Sequence, residues 1–203
     1  MSAACARGLV SCRAGAATAA AAHVHRVRQR TTSERILALD DGLAPEDYYP
    51  SWLSPGVLTG AFPWEAALHT SLADFLEAYT LHDSNWILFA LDPDAGSEAT
   101  LAFRFDAFWT DGRVPHPGSM VSEWPVLLVR LRGLQAIRFD GYAEAGAEWA
   151  PRTIARASSR ASTATNSISE FEDIVGGRVV VEHASRIELL CLDRAGAVVP
   201  LSV

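Results

Sequence analysis

The chain has 203 residues, of which 49% are hydrophobic and 20% are charged. This composition supplies enough apolar material for a buried core, and it excludes a disordered or fibrous protein. The length predicts one domain with some excess chain. No segment of the sequence approaches the roughly 20 uninterrupted apolar residues that cross a bilayer, so we do not expect an integral membrane protein.

Charge is unevenly placed along the sequence. All 17 basic residues are Arg, which together with the abundant Ala indicates a GC-rich genome. Residues 1–30 hold five of them and no acidic residue: Arg7, Arg13, Arg26, Arg28 and Arg30. Without those five, the chain carries 12 Arg against 24 acidic residues. The negative net charge of this part of the chain repels phosphate backbones, so we expect no nucleic-acid partner and favour a partner with a basic protein surface. Acidity also promotes solubility whatever the function.

Residues 1–33 are rich in Ala, contain Arg and lack acidic residues. We predict that this stretch is a disordered extension, which would be explained if the true start codon lay further downstream. The alternative is an organelle transit peptide. No apolar signal region precedes the lipoprotein-like letters of residues 9–12, which argues against secretion. The folded domain is expected to cover residues 34–203.

The three cysteines are Cys5, Cys12 and Cys191. They form neither a disulfide framework nor a CxxC metal pair, which favours a reducing compartment and a cytoplasmic location. Cys191 lies inside an apolar run, so we expect it to be buried as a small hydrophobic residue rather than to act as a nucleophile.

The predicted domain begins with a loop segment that is followed by a single helix. Residues 34–64 are dense in Pro, Gly and Asp, which predicts loops with aromatic anchors. A helical period then places five apolar residues on one stripe: Leu68, Leu72, Phe75, Leu76 and Tyr79. Ser71 and Asp74 have the spacing of an N-terminal cap, so the helix starts or restarts there and is expected to end near Thr80.

From residue 86 onward the apolar period changes to two. Residues 86–91 and 100–106 predict a hairpin across a turn at 92–96. Further strands are expected at 126–131, 135–142, 179–181, 187–190 and 198–203, which makes about seven in all. The last two are joined by the turn sequence of residues 193–196.

Residues 150–169 are a Ser, Thr, Ala and Arg tract with almost no large apolar residue, which predicts a mobile loop. A loop of about 20 residues is unusual in a compact domain, so it is either functional or a sign of a missed element. The short connections elsewhere favour an α+β fold, in which a mostly antiparallel sheet or sandwich packs against one main helix.

The sharpest local feature is Leu81-His82-Asp83-Ser84, between the predicted helix and the first predicted strand. Neighbouring side chains diverge, so His82, Asp83 and Ser84 cannot act as a catalytic triad. One interpretation is structural: Asp83 accepts backbone N–H bonds and His82 donates to a carbonyl, which holds the corner in place. The other is functional: His82, Asp83 and the nearby Trp86 lie on a rim where a partner docks.

No motif predicts a cofactor, a metal or a catalytic residue. The glycine-rich phosphate loops are absent from the sequence. Asp92 and Asp94 lack the pattern of a calcium loop, and His69, His116 and His183 lack metal-ligand spacing. The six Trp residues fit either a platform for a sugar or peptide or ordinary packing.

The corner resembles small bacterial families in which a Leu-His-Asp-Ser corner precedes a β-hairpin. Some of these families are uncharacterised, and others are similar to immunity proteins of polymorphic toxin systems. The resemblance covers residues 72–106, about 35 of the 203. It implies a non-catalytic cytoplasmic protein that binds a partner, and it carries over only His82 and Asp83.

These observations favour a protein-binding module, in the manner of an immunity-like inhibitor that masks a basic partner with an acidic surface. We expect no cofactor, no nucleic acid and no membrane association for it. The alternatives are a small hydrolase built on Asp83, Asp106 and Glu123 around an acidic cleft, and a structural protein that pairs its own edge strands.

Overall fold

The computed structural model describes residues 36–38, 50–92, 97–106, 114, 124–140 and 152–203. The chain divides after Glu34 into two units, and all of these residues belong to the second. The extension predicted over residues 1–33 therefore lies outside the described residues.

The described residues form eleven strands, two short helices and one 3-10 turn. The helices are α1 (Leu53–Thr59) and α2 (Leu72–Ala78), and the 3-10 turn is Trp64–Ala66. The strands are β1 (Ile36–Ala38), β2 (Leu68–Ser71), β3 (Asn85–Asp92), β4 (Glu98–Arg104), β5 (Val126–Leu131), β6 (Ala136–Asp140), β7 (Arg152–Ala161), β8 (Asn166–Asp173), β9 (Arg178–Ala184), β10 (Arg186–Leu192) and β11 (Val198–Val199).

The strands build one antiparallel sheet in the order β11-β10-β5-β4-β3-β7-β8-β9-β6, with β1 also paired to β3 and β2 to β10. Among the described residues, two pairs join β3 to β7: Asn85 with Thr153 and Trp86 with Arg152. This narrow junction divides the sheet into a large half, β1 to β5 with β10 and β11, and a small half, β6 to β9.

The sheet folds over at this junction so that the two halves face each other. Two strands separate β4 from β8, so a flat sheet would hold them about 14 Å apart at the usual strand spacing. The ring centroids of Phe103 and Phe171 are nevertheless only 5.6 Å apart. Phe89 and Phe139, on strands that lie still further apart in the sheet order, approach to 5.8 Å. The architecture is therefore a β-sandwich closed by aromatic contacts.

Both faces of the large half are covered. Its inner face packs against the small half and the buried side of α2, which contributes Leu72 and Phe75. Its outer face packs against Leu53 of α1 and the partly buried rings of Phe62 and Trp64. Because both faces are buried, β3, β5 and β10 are continuous apolar runs with little alternation.

The antiparallel, sheet-rich class is confirmed, but the sheet contains more strands than predicted and the helix contributes less. The helical period includes residues 68–71, which instead form β2 and pair with β10. The start of α2 is confirmed, because Ser71 Oγ accepts a hydrogen bond from the Asp74 amide at 3.0 Å. The helix is only seven residues long.

The prediction of a mobile loop over residues 150–169 is wrong for its described part. Residues 152–161 are β7, and residues 166–173 belong to β8, so the tract is a hairpin of the small half. Its inner face carries small side chains such as Ala157 and Ser169, and these give no hydrophobic alternation for sequence reasoning to detect.

Candidate functional site

The Leu81-His82-Asp83-Ser84 corner connects α2 to β3. Leu81 and Ser84 are buried, whereas His82 and Asp83 reach the surface. The Ser84 amide donates to the Leu81 carbonyl at 3.0 Å, and the His82 amide donates to Thr80 Oγ1 at 3.0 Å. The corner is therefore a tight turn whose two central side chains point outward.

Asp83 is the only residue other than glycine with a positive φ among those that the structure describes, at 64°. This left-handed conformation places Cβ close to the backbone, and Asp and Asn tolerate it better than most residues. The choice of Asp at this position is thus explained first by backbone geometry.

The corner is tied to the start of β7 by two backbone hydrogen bonds. The Asp83 amide donates to the Ile154 carbonyl at 2.9 Å, and the Ile154 amide donates to the Ser84 carbonyl at 2.8 Å. Thr153 Oγ1 adds a bond of 3.0 Å to Asn85 Oδ1. The corner therefore lies at the junction between the large and small halves of the sheet.

The His82 and Asp83 side chains contact each other at the surface. Nδ1 of His82 lies 2.9 Å from Oδ2 of Asp83, and the two side chains are 53% and 42% exposed. The structural interpretation of the sequence has the Asp83 side chain accept backbone N–H bonds. In the structure, the Asp83 amide fastens the corner, and the Asp83 carboxylate contacts His82. Both remain accessible to a partner.

Trp86, the third predicted binding residue, lies in the core. It is 2% exposed, and its indole N–H donates to the Leu88 carbonyl at 2.8 Å. Its ring is 5.5 Å from both Phe103 and Phe171. Trp86 supports the junction of the two halves from inside and offers no surface to a partner.

The acids of the hydrolase alternative are placed in different environments. The Asp106 amide donates to Ser84 Oγ at 3.0 Å, so Asp106 is a neighbour of the corner. Asp106 is only 5% exposed and Ser84 is fully buried, whereas Asp83 is at the surface. Glu123 lies outside the described residues. The Asp83 carboxylate is therefore open to solvent, whereas Asp106 is buried.

The negative charge of the chain is concentrated in residues 36–103. This segment contains eleven acidic residues and no Arg or Lys, while residues 104–203 hold twelve acidic residues and eleven Arg. Within it, Asp74 and Glu77 are exposed on one face of α2, three residues apart, and Asp83 follows at the corner. We call these three carboxylates the acidic face. The exposed Arg186 of β10 pairs through its backbone with Ser71, the residue before α2.

The outer surface of the small half carries balanced charge. One row across its four strands alternates in sign, with Arg156 opposite Glu172, Glu172 opposite Arg178, and Arg178 opposite Asp140. Opposite charges on neighbouring strands stabilise such a face and leave it without a strong net field. The acidic face is therefore a local property and not a uniform feature of the surface.

Sequence reasoning missed a buried polar network in the small half. Ser169 Oγ lies 2.7 Å from Nε2 of His183, whose Nδ1 lies 2.6 Å from the Ala184 carbonyl. Ser159 joins through Ser169 at 3.1 Å. Ser169 and His183 are fully buried, so the pair is inaccessible to substrate. The alternation of Val179, Val181 and His183 was the available signal, because it places His183 on an inner face.

A second polar cluster lies on the outer face of the large half. The Arg130 guanidinium is 3.8 Å from the ring centroid of Trp64 and donates to Glu188 at 2.9 Å. Arg132 reaches the other oxygen of Glu188 at 3.0 Å. The neighbouring pocket of about 70 Å³ is partly lined by Phe62. Burial lowers the pKa of Arg130, although Glu188 opposes that shift.

The remaining candidates from the sequence are His69, His116 and Asp94. Within the described ranges, no three His, Cys, Asp or Glu side chains come together as a metal site requires. His69 is exposed on β2, and His116 and Asp94 lie outside these ranges. No helix in the described part of the chain is long and apolar enough to span a membrane.

No protein-family model, curated protein or solved structure matches this chain. The resemblance of the corner to immunity-protein-like families therefore stays a prediction. Function is inferred instead from the geometry and charge of the described residues.

Proposed function

We propose that the protein is a non-catalytic protein-binding module that uses its acidic face to bind a partner with a basic surface. An immunity-like inhibitor is the form of this function that the corner motif favours. The alternative hydrolase would require Asp106 to reach substrate, and its burial opposes that role.

The observation that carries the proposal is the segregation of charge. Residues 36–103 contain no basic residue, and Asp74, Glu77 and Asp83 present carboxylates to solvent there. A patch of one sign steers an oppositely charged partner and raises its association rate, whereas a surface of balanced charge does not. The acidic face is thus the described surface best suited to a basic partner.

The test is capture of a partner by the tagged full chain from a lysate of the source cells, at low and high salt. We expect a stoichiometric basic protein that is released by salt. The triple variant Asp74→Asn, Glu77→Gln, Asp83→Asn should lose most of this capture, because each carboxylate is replaced without a change in shape.

A matched control removes three carboxylates from the outer surface of the small half, through Glu170→Gln, Glu172→Gln and Glu182→Gln. It alters the net charge by the same amount and should retain the partner. Equal losses in the two triple variants, or recovery of the protein alone at both salt concentrations, would contradict the proposal.

A further inference from the structure

The turn between β8 and β9 exposes two large aliphatic side chains. Ile174 is 65% exposed and Val175 is 73% exposed, the highest values among the large hydrophobic residues that the structure describes. Turns of this kind normally carry Gly, Asn, Asp or Ser at their central positions. Neither residue belongs to a core cluster and most of each is exposed, so their presence at the tip is not explained by the core.

The turn is held rigidly. Asp173 is 3% exposed, and its Oδ1 accepts hydrogen bonds from the Val175 amide at 2.9 Å and the Gly177 amide at 2.8 Å. The Gly176 amide donates to the Asp173 carbonyl at 3.0 Å, and Gly176 has the positive φ of 88° that such a turn requires. The two aliphatic side chains are therefore presented by a preorganised backbone, which reduces the entropy lost on binding.

The tip lies beside the acidic corner. The Ile174 amide donates to the Thr153 carbonyl at 3.0 Å, and the Asp83 amide donates to the carbonyl of the next residue, Ile154, at 2.9 Å. Successive carbonyls of a strand point to opposite sides, so the tip and the corner flank the first residues of β7. Two strand spacings separate their backbones, about 10 Å.

From this placement we infer that Ile174 and Val175 form the apolar centre of a docking surface whose charged rim includes His82 and Asp83. Its occupant is a partner protein with an apolar recess bordered by Arg or Lys. Apolar centres with polar rims are the usual anatomy of protein interfaces. The inference rests on the proposed function and adds to it the residues that hold the partner after electrostatic encounter.

The two parts of this surface have distinguishable effects on binding. Ile174→Ser with Val175→Ser should weaken binding of the captured partner tenfold or more at every salt concentration, mainly through faster dissociation. Asp83→Asn should weaken binding several-fold at low salt only, mainly through slower association. Val198→Ser with Val203→Ser removes two exposed aliphatic side chains elsewhere and should leave affinity unchanged.

A second measurement does not depend on capture. A photo-crosslinking amino acid is placed at Val175, or at Val198 as the control, in the full chain within the source cells. We expect a basic protein crosslinked from position 175 and not from position 198. No adduct, the same adducts from both positions, or an adduct with a second copy of this chain would overturn the inference. If a partner is captured but position 175 does not contact it, the inference fails while the proposed function stands.

Discussion

Ser169 Oγ lies 2.7 Å from Nε2 of His183, and both residues are fully buried in the small half of the sheet. The Ala184 carbonyl can only accept, so the Nδ1 that lies 2.6 Å from it carries the proton. In a neutral imidazole, Nε2 is then the atom that accepts the Ser169 hydroxyl proton. Burial lowers the pKa of His183 from its ordinary 6.5, which is consistent with this arrangement.

The neutral state of His183 predicts that stability falls in acid. Well above pH 6.5 this residue is neutral in both the folded and the unfolded state, so its contribution to stability is complete. As the pH falls below that value, the unfolded chain binds a proton that the folded state resists, and unfolding becomes easier. Urea denaturation of wild type and His183→Gln at several pH values tests this. The free energy of unfolding should fall more steeply with decreasing pH in wild type than in the variant, by at most about 1.4 kcal/mol per pH unit.

The comparison isolates His183, because the other five His residues are present in both proteins. Parallel pH dependence in the two proteins would show that the folded state accepts the proton readily.

The backbone of Asp83 predicts an unusual order of stability among its variants. Asp83→Gly should be more stable than Asp83→Ala by about 0.5–1 kcal/mol, because Ala is strained at the φ of 64° that Asp83 adopts. Asp83→Asn should lie close to wild type. Chemical denaturation of the variants measures the order. His82, whose φ is not positive, provides the control: there Ala should be more stable than Gly. The same order at both positions would contradict a strained backbone at Asp83.

The sequence reveals strands whose buried side chains are apolar, and it does not reveal strands whose buried side chains are small and polar. The β3–β4 hairpin and the turn at residues 193–196 follow from apolar runs bounded by turn residues, and the structure contains both. β7 and β8 could not be found in this way, because Ser159 and Ser169 occupy facing inner positions and satisfy each other by a hydrogen bond. A small polar pair removes the hydrophobic contrast that identifies a half-buried strand.

The candidate site was predictable in position but not in conformation. The sequence locates His82 and Asp83 between a helix and a strand, and it contains the uneven charge of residues 36–103. It does not reveal that Trp86 turns inward, since an aromatic residue at a strand end fits either face. Nor does it bring Ile174 beside Asp83, because that proximity depends on the fold of the sheet at β7.

Removing one partner of the Arg130–Glu188 ion pair is expected to destabilise the fold strongly. Their side chains are 16% and 12% exposed, so Glu188→Leu leaves a largely buried guanidinium without its carboxylate. We expect a loss of about 2–4 kcal/mol in the free energy of unfolding, measured in urea. Arg130→Met combined with Glu188→Leu should lose less than Glu188→Leu alone, because no uncompensated charge remains.

The exposed pair of Arg138 and Asp140 is the control for that measurement. Their side chains are 62% and 36% exposed, so Asp140→Asn should cost less than about 1 kcal/mol. An equal cost at the two sites would mean that burial does not govern the contribution of Glu188.

The buried thiol of Cys191 is expected to react with disulfide reagents only after the protein unfolds. Burial raises its pKa to about 12, with Asp193 acting in the same direction. Relative to a free thiol near 8.5, this lowers the thiolate fraction at pH 8 by about a thousandfold. In a Cys5→Ser, Cys12→Ser protein, a disulfide reagent should leave the native thiol unmodified at first and label it promptly in denaturant. Adding Cys191→Ala and Val198→Cys creates an exposed thiol that should react at once. Rapid labelling of native Cys191 would contradict its placement in the core on β10, between β5 and β11.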